Sequence, residues 1–536
     1  MAKNTVNFIL HAHMPFVRHP EYSRYLEEDW LFESINESYL PILRMLKDLN
    51  KNNVDYKLTF CLSPTLLAML QDEMLQQRFV DYLKLHEKLG IHEVSRCNKE
   101  EKEAVEMAKV YLKNIQMNRD DFENLYKRNI LTGFKDLYES GHVDLIASVA
   151  SNAFLPLYQD YPIAVNAQVI LGIQAFVDAF GSKPQGFWLP ECGYYPGLDK
   201  ILAKQGIKYV PAASQAVLFS KDRCDTGVFR PVKSPENIAF FPRDYQLTSL
   251  VWSDEGYPSD PVYREFYRDI GYDLDLDYMR PYIHEPDVRV FTGFKYWAIT
   301  QKGPDKVYYN RTKALAKVKE HASNYIYNIM MKGRQVRPDL DGEEPMVNIF
   351  FDAELFGHWW YEGVDFLKYL LLDGSSQQSP IKLSTPCEVL DERPKLQEIH
   401  PAFSSMGTGG FAQIWLDGSY VWAYRHIQKG IERMIELADR FPSQKSLKKR
   451  FLDQAARELM LAMSSDWAYF FHNHNNIEFA RAQLEDHLQN FNLVYENMCK
   501  NAVNTEWLVR CEERDNIFPG MNYNIFNEDV FDKLFL

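Results

Sequence analysis

Met346-Val-Asn-Ile-Phe-Phe-Asp352-Ala-Glu354-Leu-Phe-Gly357-His358-Trp359-Trp360-Tyr361 begins as an apolar run and ends in reactive and aromatic side chains. Val347, Ile349, Phe350 and Phe351 make a run long enough for a strand buried on both faces, as parallel sheets require. Two carboxylates, a histidine and two tryptophans then fall within nine residues. The carboxyl end of such a strand is where α/β enzymes carry their chemistry. Acids followed by indole rings suit a sugar: acids for the glycosidic bond, flat apolar faces for the pyranose. The plainer alternative is a strand ending in a solvated acidic turn, with the tryptophans as core.

Outward from this stretch, more strand-like runs share the pattern. They are Val6–Leu10, Tyr56–Leu62, Val143–Val149, Gly186–Leu189, Lys208–Ala212, Ile238–Phe241 and Val288–Thr292. Helical spacings lie between several of them, as in Leu31–Leu46, Ile163–Phe180 and Gly197–Gln205. Strand and helix in alternation imply a parallel sheet, and seven or eight such strands imply a closed barrel. Residues 66–139 are charge-rich and helical, an expected insertion within a catalytic barrel spanning 1–395. Prolines at 386, 394 and 401 punctuate a polar run, after which the pattern turns helical without strands. A C-terminal helical domain is expected over 396–536.

The whole chain fits this reading. Its 536 residues exceed one compact domain. The net charge of −14 argues against a nucleic-acid partner. Aromatics reach 14%, with 10 Trp, 32 Tyr and 34 Phe, a surplus that fits carbohydrate binding. Seven cysteines without a CxxC pair point to a reducing compartment rather than a disulfide framework. No hydrophobic signal core or membrane-length apolar run is present, so a cytoplasmic protein without a membrane partner is expected.

Strand ends supply the chemistry. The first delivers His11 and His13, another delivers Glu191 in Trp188-Leu-Pro-Glu191-Cys-Gly-Tyr, and the opening stretch delivers Asp352 and Glu354. All strands of a β/α barrel end on one face, so these groups converge although far apart in sequence. Two such carboxylates are the minimum for glycosidic cleavage. Alternatively, His11 and His13 lie on one side of a strand and could ligate a metal with Asp352 or Glu354, as in a polysaccharide deacetylase or amidohydrolase. A non-catalytic glucan-binding protein is a third reading.

His11-Ala-His13-Met-Pro15, Trp188-Leu-Pro-Glu191-Cys and Phe351-Asp352-Ala-Glu354-Leu-Phe-Gly-His-Trp-Trp resemble signature regions of glycoside hydrolase family 57 in order and spacing. Tyr263-Arg264-Glu-Phe-Tyr-Arg268-Asp-Ile-Gly271-Tyr-Asp, Ser404-Ser405-Met406-Gly407 and Ser464-Ser465-Asp466-Trp467 resemble its branching-enzyme group. The resemblance covers nearly the whole chain. It implies a (β/α)7 barrel with a helical C-terminal domain, acting with retention on α-1,4-glucan such as amylose, glycogen or maltooligosaccharide. No metal or cofactor is implied.

By motif match Glu191 is the nucleophile and Asp352 the acid/base, with carboxyls expected roughly 5–5.5 Å apart. Gly141-His-Val-Asp144-Leu would be the second signature region, with Asp where Glu is usual. Substrate contacts are expected from His11, His13, Trp188, Arg264, Glu354, His358, Met406, Trp415, Asp466 and Trp467. Asp466 and Trp467 would close the site from the helical domain, and Trp415 would offer a sugar platform.

Two features depart from the branching pattern: Met406 stands where a tryptophan is usual, and no tyrosine occurs between Tyr209 and Tyr245. The expected activity is that of a 1,4-alpha-glucan branching enzyme in glycogen biosynthesis. An α-amylase or 4-α-glucanotransferase of the same family is the alternative.

Overall fold

The computed structural model describes residues 3–300, 306–341, 343–500 and 504–535. Ten strands form in chain order among the described residues. They are β1 (Asn4–Ala12), β2 (Leu58–Leu62), β3 (Val143–Ser148), β4 (Phe187–Trp188), β5 (Tyr209–Ala212), β6 (Val232–Lys233), β7 (Ala239–Pro242), β8 (Met346–Asp352), β9 (Ile381–Leu383) and β10 (Gln397–Glu398).

β8, β1, β2, β3 and β4 pair side by side in parallel, as do β5 and β7. Two short parallel bridges join these sets, Gly186 with Tyr209 and Arg243 with Asn348. The result is a closed barrel of seven parallel strands. β9 pairs with residues 4–6 of β1, below the part of that edge taken by β2.

Side chains alternate across each strand, so every second residue points into the barrel. On β1 the inward series is Asn7, Ile9 and His11; on β8 it is Asn348, Phe350 and Asp352. Register sets these series beside one another, with Asn7 opposite Asn348, Ile9 opposite Phe350 and His11 opposite Asp352. Ile9, Cys61, Ile146, Trp188, Tyr209, Phe241 and Phe350 belong to one buried cluster that plugs the barrel. One polar rung lies below it: Asn7 donates to Asn348 Oδ1 (2.8 Å), and Asn348 donates to the Pro242 carbonyl (2.9 Å). The barrel is therefore a packed plug, and only its carboxyl end is open for chemistry.

The outer shell is helical. Pro162–Phe180, the one helix among the described residues long and apolar enough to cross a membrane, lies against β3. A Cβ at its Gly172 would meet the Ser148 carbonyl at 1.8 Å, so glycine allows the close approach. Residues 66–139 are helical as expected, with Glu73–Glu100 and Val105–Asp120 packed together. Beyond the barrel, Val421–Arg440, Ser446–Ala462 and Ile477–Lys500 pack on one another.

Two expectations are corrected. Val288–Thr292 forms no strand; only Val288 bridges, to His284. Its sequence has strand composition, but the backbone N–H groups of Thr292 and Gly293 donate to the buried Asp269 carboxylate (2.9–3.1 Å) instead of a sheet partner. Nor is the segment after residue 395 free of strand: β10 pairs with β6, which is antiparallel to β7 on the flank of the barrel.

Candidate active site

His11, the inward residue at the end of β1, is buried, with its ring stacked on Trp188 (4.7 Å between centroids) and on His13 (5.7 Å). Its Nδ1 faces Asp352 at 3.8 Å. Burial lowers the His11 pKa despite Asp352, which favours the neutral ring.

His13 has the opposite setting. Its Nδ1 meets Ser63 Oγ at 2.8 Å, and its Nε2 meets the two Asp466 oxygens at 2.9 and 3.1 Å. Burial opposes charging this ring, but Asp466, with Glu354 and Glu191 nearby, outweighs it and raises the pKa. An imidazolium donating to Ser63 and Asp466 fits both contacts. Ser464 Oγ donates to Asp466 Oδ2 (2.5 Å), which fixes the carboxylate.

Glu191 sits just past β4, on a turn where it and Cys192 both have left-handed backbones (φ 59° and 50°). Such conformations cost about 1–3 kcal/mol each for residues with a side chain and concentrate at functional sites. The turn is held by Met406 N–H donating to the Glu191 carbonyl (2.6 Å). Burial first, then the charges of Asp352 and Asp466, push the Glu191 carboxyl up to about 8. Asp352 ends β8 with its side chain 43% exposed, so it faces the open end of the barrel.

Glu354 accepts from the Tyr39 hydroxyl and from His13 N–H (3.2 Å). Burial raises it to about 7, with Asp352 adding to the rise and Tyr39 opposing it. Tyr39 arrives through a π-turn, Ile35–Tyr39, inside an otherwise α-helical stretch. The same turn brings Glu37 to His358 Nδ1 (2.7 Å) and Ser38 Oγ to His358 N–H (3.2 Å). It passes close under Gly357, where a Cβ would lie 2.0 Å from the Glu37 carbonyl. Single π-turns of this kind mark functional sites.

His11, His13, Trp188, Glu191, Asp352, Glu354 and Asp466 thus come together, with Met406 held at Glu191. Met406 Sδ lies 3.4 Å from Arg243 Nη1. Other expected contacts lie elsewhere. Arg264 is buried with its guanidinium over Tyr361 (4.1 Å), and it donates to Tyr111 Oη and the Gly293 carbonyl (3.4 Å each). It ties the segment after β7 to Tyr111 of the helical insertion.

Trp415 offers no open face: it is 1% exposed and stacked on Phe154 (4.6 Å). Trp467, also 1% exposed, donates its indole N–H to the Leu461 carbonyl (3.0 Å). Both rings are core packing. His358 is engaged by Glu37 as part of the wall. Asp144 lies at the amino end of β3, accepting from the Tyr209 hydroxyl (2.6 Å), beneath the barrel plug.

Several residues at the site were not anticipated. Arg243 follows Ala239 and Phe241 in the inward series of β7, and it donates to the Phe350 carbonyl (3.1 Å). Period-two spacing in the sequence could have found it. Tyr469 stands one turn after Asp466, half exposed, where burial and then the charges of Glu191 and Asp352 raise its phenol pKa. The i, i+3 spacing from Asp466 was its only sequence signal.

Both ring nitrogens of His13 are engaged. Among the described residues, the His/Cys/Asp/Glu group able to converge on one ion is Glu458, His487 and Asp515, in the helical region, where Arg514 already pairs with Asp515 (2.9 Å).

Comparison with known proteins identifies the family. Residues 7–401 match the model of glycosyl hydrolase family 57, and residues 426–526 match that of the 1,4-alpha-glucan branching enzyme C-terminal region. The chain is 28% identical to the 1,4-alpha-glucan branching enzyme TK1436 of Thermococcus kodakarensis, over 96% of this chain and 77% of that protein. The crystal structure of the alpha-amylase AmyC from Thermotoga maritima superposes with a TM-score of 0.92 at 38% identity, covering 98% of this chain and 100% of that one. The branching enzyme of Pyrococcus horikoshii superposes with a TM-score of 0.87 at 28% identity, covering 98% and 97%. With its motifs, its barrel and most of its length in agreement, the chain belongs to glycosyl hydrolase family 57.

Proposed function

We propose that this protein is a retaining α-1,4-glucan branching enzyme with Glu191 as nucleophile and Asp352 as acid/base. The observation that carries this reading is that His11, stacked on Trp188 of β4 and facing Asp352 of β8, brings the strand ends that carry Glu191 and Asp352 to one barrel mouth.

Burial first, then the nearby charge of Asp352, pushes the Glu191 carboxyl up to about 8. Cleavage requires a proton on Asp352, which passes to the glycosidic oxygen. The Glu191 carboxylate attacks the anomeric carbon as the bond to the leaving chain breaks, forming a glycosyl ester. Asp352, now ionised, takes the proton of an incoming 6-hydroxyl, whose oxygen displaces Glu191 and creates the α-1,6 link. The His13 imidazolium adds positive charge beside the developing anions.

Branching is supported by the named relatives and by the match of the C-terminal region. Hydrolysis is the second reading, favoured by Met406 in place of an aromatic ring and by the likeness to the Thermotoga α-amylase. Seven free cysteines support a cytoplasmic setting, and with it a place in glycogen formation.

Incubation with amylose, followed by debranching and chain-length analysis, separates the two readings. New short branches without new reducing ends are expected; reducing ends alone would replace branching with hydrolysis.

A further inference from the structure

The strap that holds the nucleophile turn also carries an aromatic ring into solvent. From Ser404, bridged to Tyr194 (3.0 and 3.1 Å), the chain runs through Met406 at the Glu191 carbonyl to Gly410 and Phe411. Gly410 lies so close to the helix Ser214–Leu218 that a Cβ there would sit 2.1 Å from Gln215 Nε2. Ala402 N–H donates to the Ala216 carbonyl (2.9 Å), tying the same strap to the same helix. That helix follows β5 at the carboxyl face of the barrel, and Phe219 comes directly after it.

Phe219 and Phe411, from segments far apart in sequence, meet edge to face with centroids 5.6 Å apart. Despite this contact Phe219 is 62% exposed and Phe411 42% exposed, and Leu218 beside them is 58% exposed. A pair made only for stability would bury its area; this one leaves its faces in water next to a catalytic turn. Aromatic faces of this kind accept the apolar C–H faces of glucosyl units, a rigid match costing little side-chain entropy.

We propose that Phe219 and Phe411 form a platform that holds an α-1,4-glucan chain at a distance from the scissile bond. It is anchored, through the 404–411 strap, to the backbone of the nucleophile itself. This inference rests on the glucan reading given above.

The test uses the full-length Glu191→Gln protein, so that binding is measured without turnover. Maltoheptaose affinity is compared by calorimetry among this parent and the same protein carrying Phe219→Ala, Phe411→Ala or Phe411→Trp. Each alanine change should weaken binding roughly three- to tenfold, while Phe411→Trp should bind as tightly as the parent or more so. Both sites are exposed, so unchanged thermal midpoints are expected, and an alanine variant that melts earlier is replaced by Phe→Ser at the same site. Alanine variants that bind within twofold of a binding parent overturn the platform. A folded parent that does not bind maltoheptaose overturns the glucan reading, and the platform with it.

Discussion

His13 Nε2 lies 2.9 Å from Asp466 Oδ1, joining the end of the first barrel strand to the helix that begins at Asp466. The pair is more than a tether. His11 and Trp188 stack in series behind His13, and Glu354 accepts its backbone N–H, so its position sets theirs. The helical region therefore completes the ring of groups around Glu191 and Asp352.

Replacing Asp466 by asparagine should expose this coupling. Asp466 raises the His13 pKa, so its stabilisation is fully present below the ordinary histidine value of 6.5 and is lost as pH rises through the raised value. In urea titrations the variant should be less stable than the parent by about 1.5–3 kcal/mol at pH 5.5, and the gap should narrow at alkaline pH. A gap independent of pH would show that Asp466 does not charge His13. Branching activity should fall about tenfold or more, because His13 and the rings stacked behind it lose their anchor beside Glu191 and Asp352.

Glu191 makes the opposite stability prediction. Its carboxyl is pushed up to about 8, against an ordinary 4.5, so the folded state retains a proton that the unfolded chain releases. Stability then falls as pH rises from the ordinary value towards 8, because the unfolded state binds fewer protons in that window. Glu191→Gln removes this slope. The variant should be inactive on amylose yet more stable than the parent by about 2 kcal/mol or more at pH 8.5, with little difference at pH 4. Equal pH slopes in the two proteins would remove the buried-pair account of this carboxyl.

The barrel was legible in the sequence because strands buried on both faces are mostly apolar, and Val6–Leu10 and Met346–Phe351 are apolar but for Asn7 and Asn348. Glu191 and Asp352 were legible because chemistry gathers where such runs end. Exposure was not legible. Trp415 and Trp467 have the residue type of a sugar platform, but whether a ring face is open depends on partners such as Phe154 and the Leu461 carbonyl. Tyr39 was hidden for another reason: a π-turn shifts the helical phase by which its direction would have been read. Val288–Thr292 misled because strand composition says nothing about whether Asp269 will claim the backbone donors.

In the proposed mechanism Asp352 protonates the leaving group, so the need for it should depend on how much help that group requires. Asp352→Asn should lower turnover of amylose by about 10²–10⁴-fold. On α-maltosyl fluoride, whose leaving group departs without a proton, the first step should lose far less. Glycosyl-enzyme should then accumulate on Glu191, visible by intact-mass spectrometry, because no base remains to activate the acceptor. Equal losses on both substrates would assign the proton transfer to another acid, and Glu354, raised to about 7, would be the next to test.

The histidine pair at the end of β1 makes the last prediction. Two imidazoles on one strand beside carboxylates have the composition of a zinc site, and composition alone leaves that open. The contacts favour a different role. A metal ligand must present a free lone pair, whereas His13 uses Nε2 on Asp466 and Nδ1 on Ser63, and the Asp466 carboxylate raises its pKa against the opposing effect of burial. Burial lowers the His11 pKa; its Nδ1 faces Asp352, and its Nε2 is buried without a hydrogen-bond partner in a ring clamped between Trp188 and His13. Prolonged dialysis against EDTA should therefore leave activity on amylose within about twofold of the untreated enzyme, since no ligand bond is broken. His13→Gln should lower that activity without changing the metal content measured by mass spectrometry. Loss on chelation that zinc restores would instead make the Asp466–His13 bond a feature of the empty site.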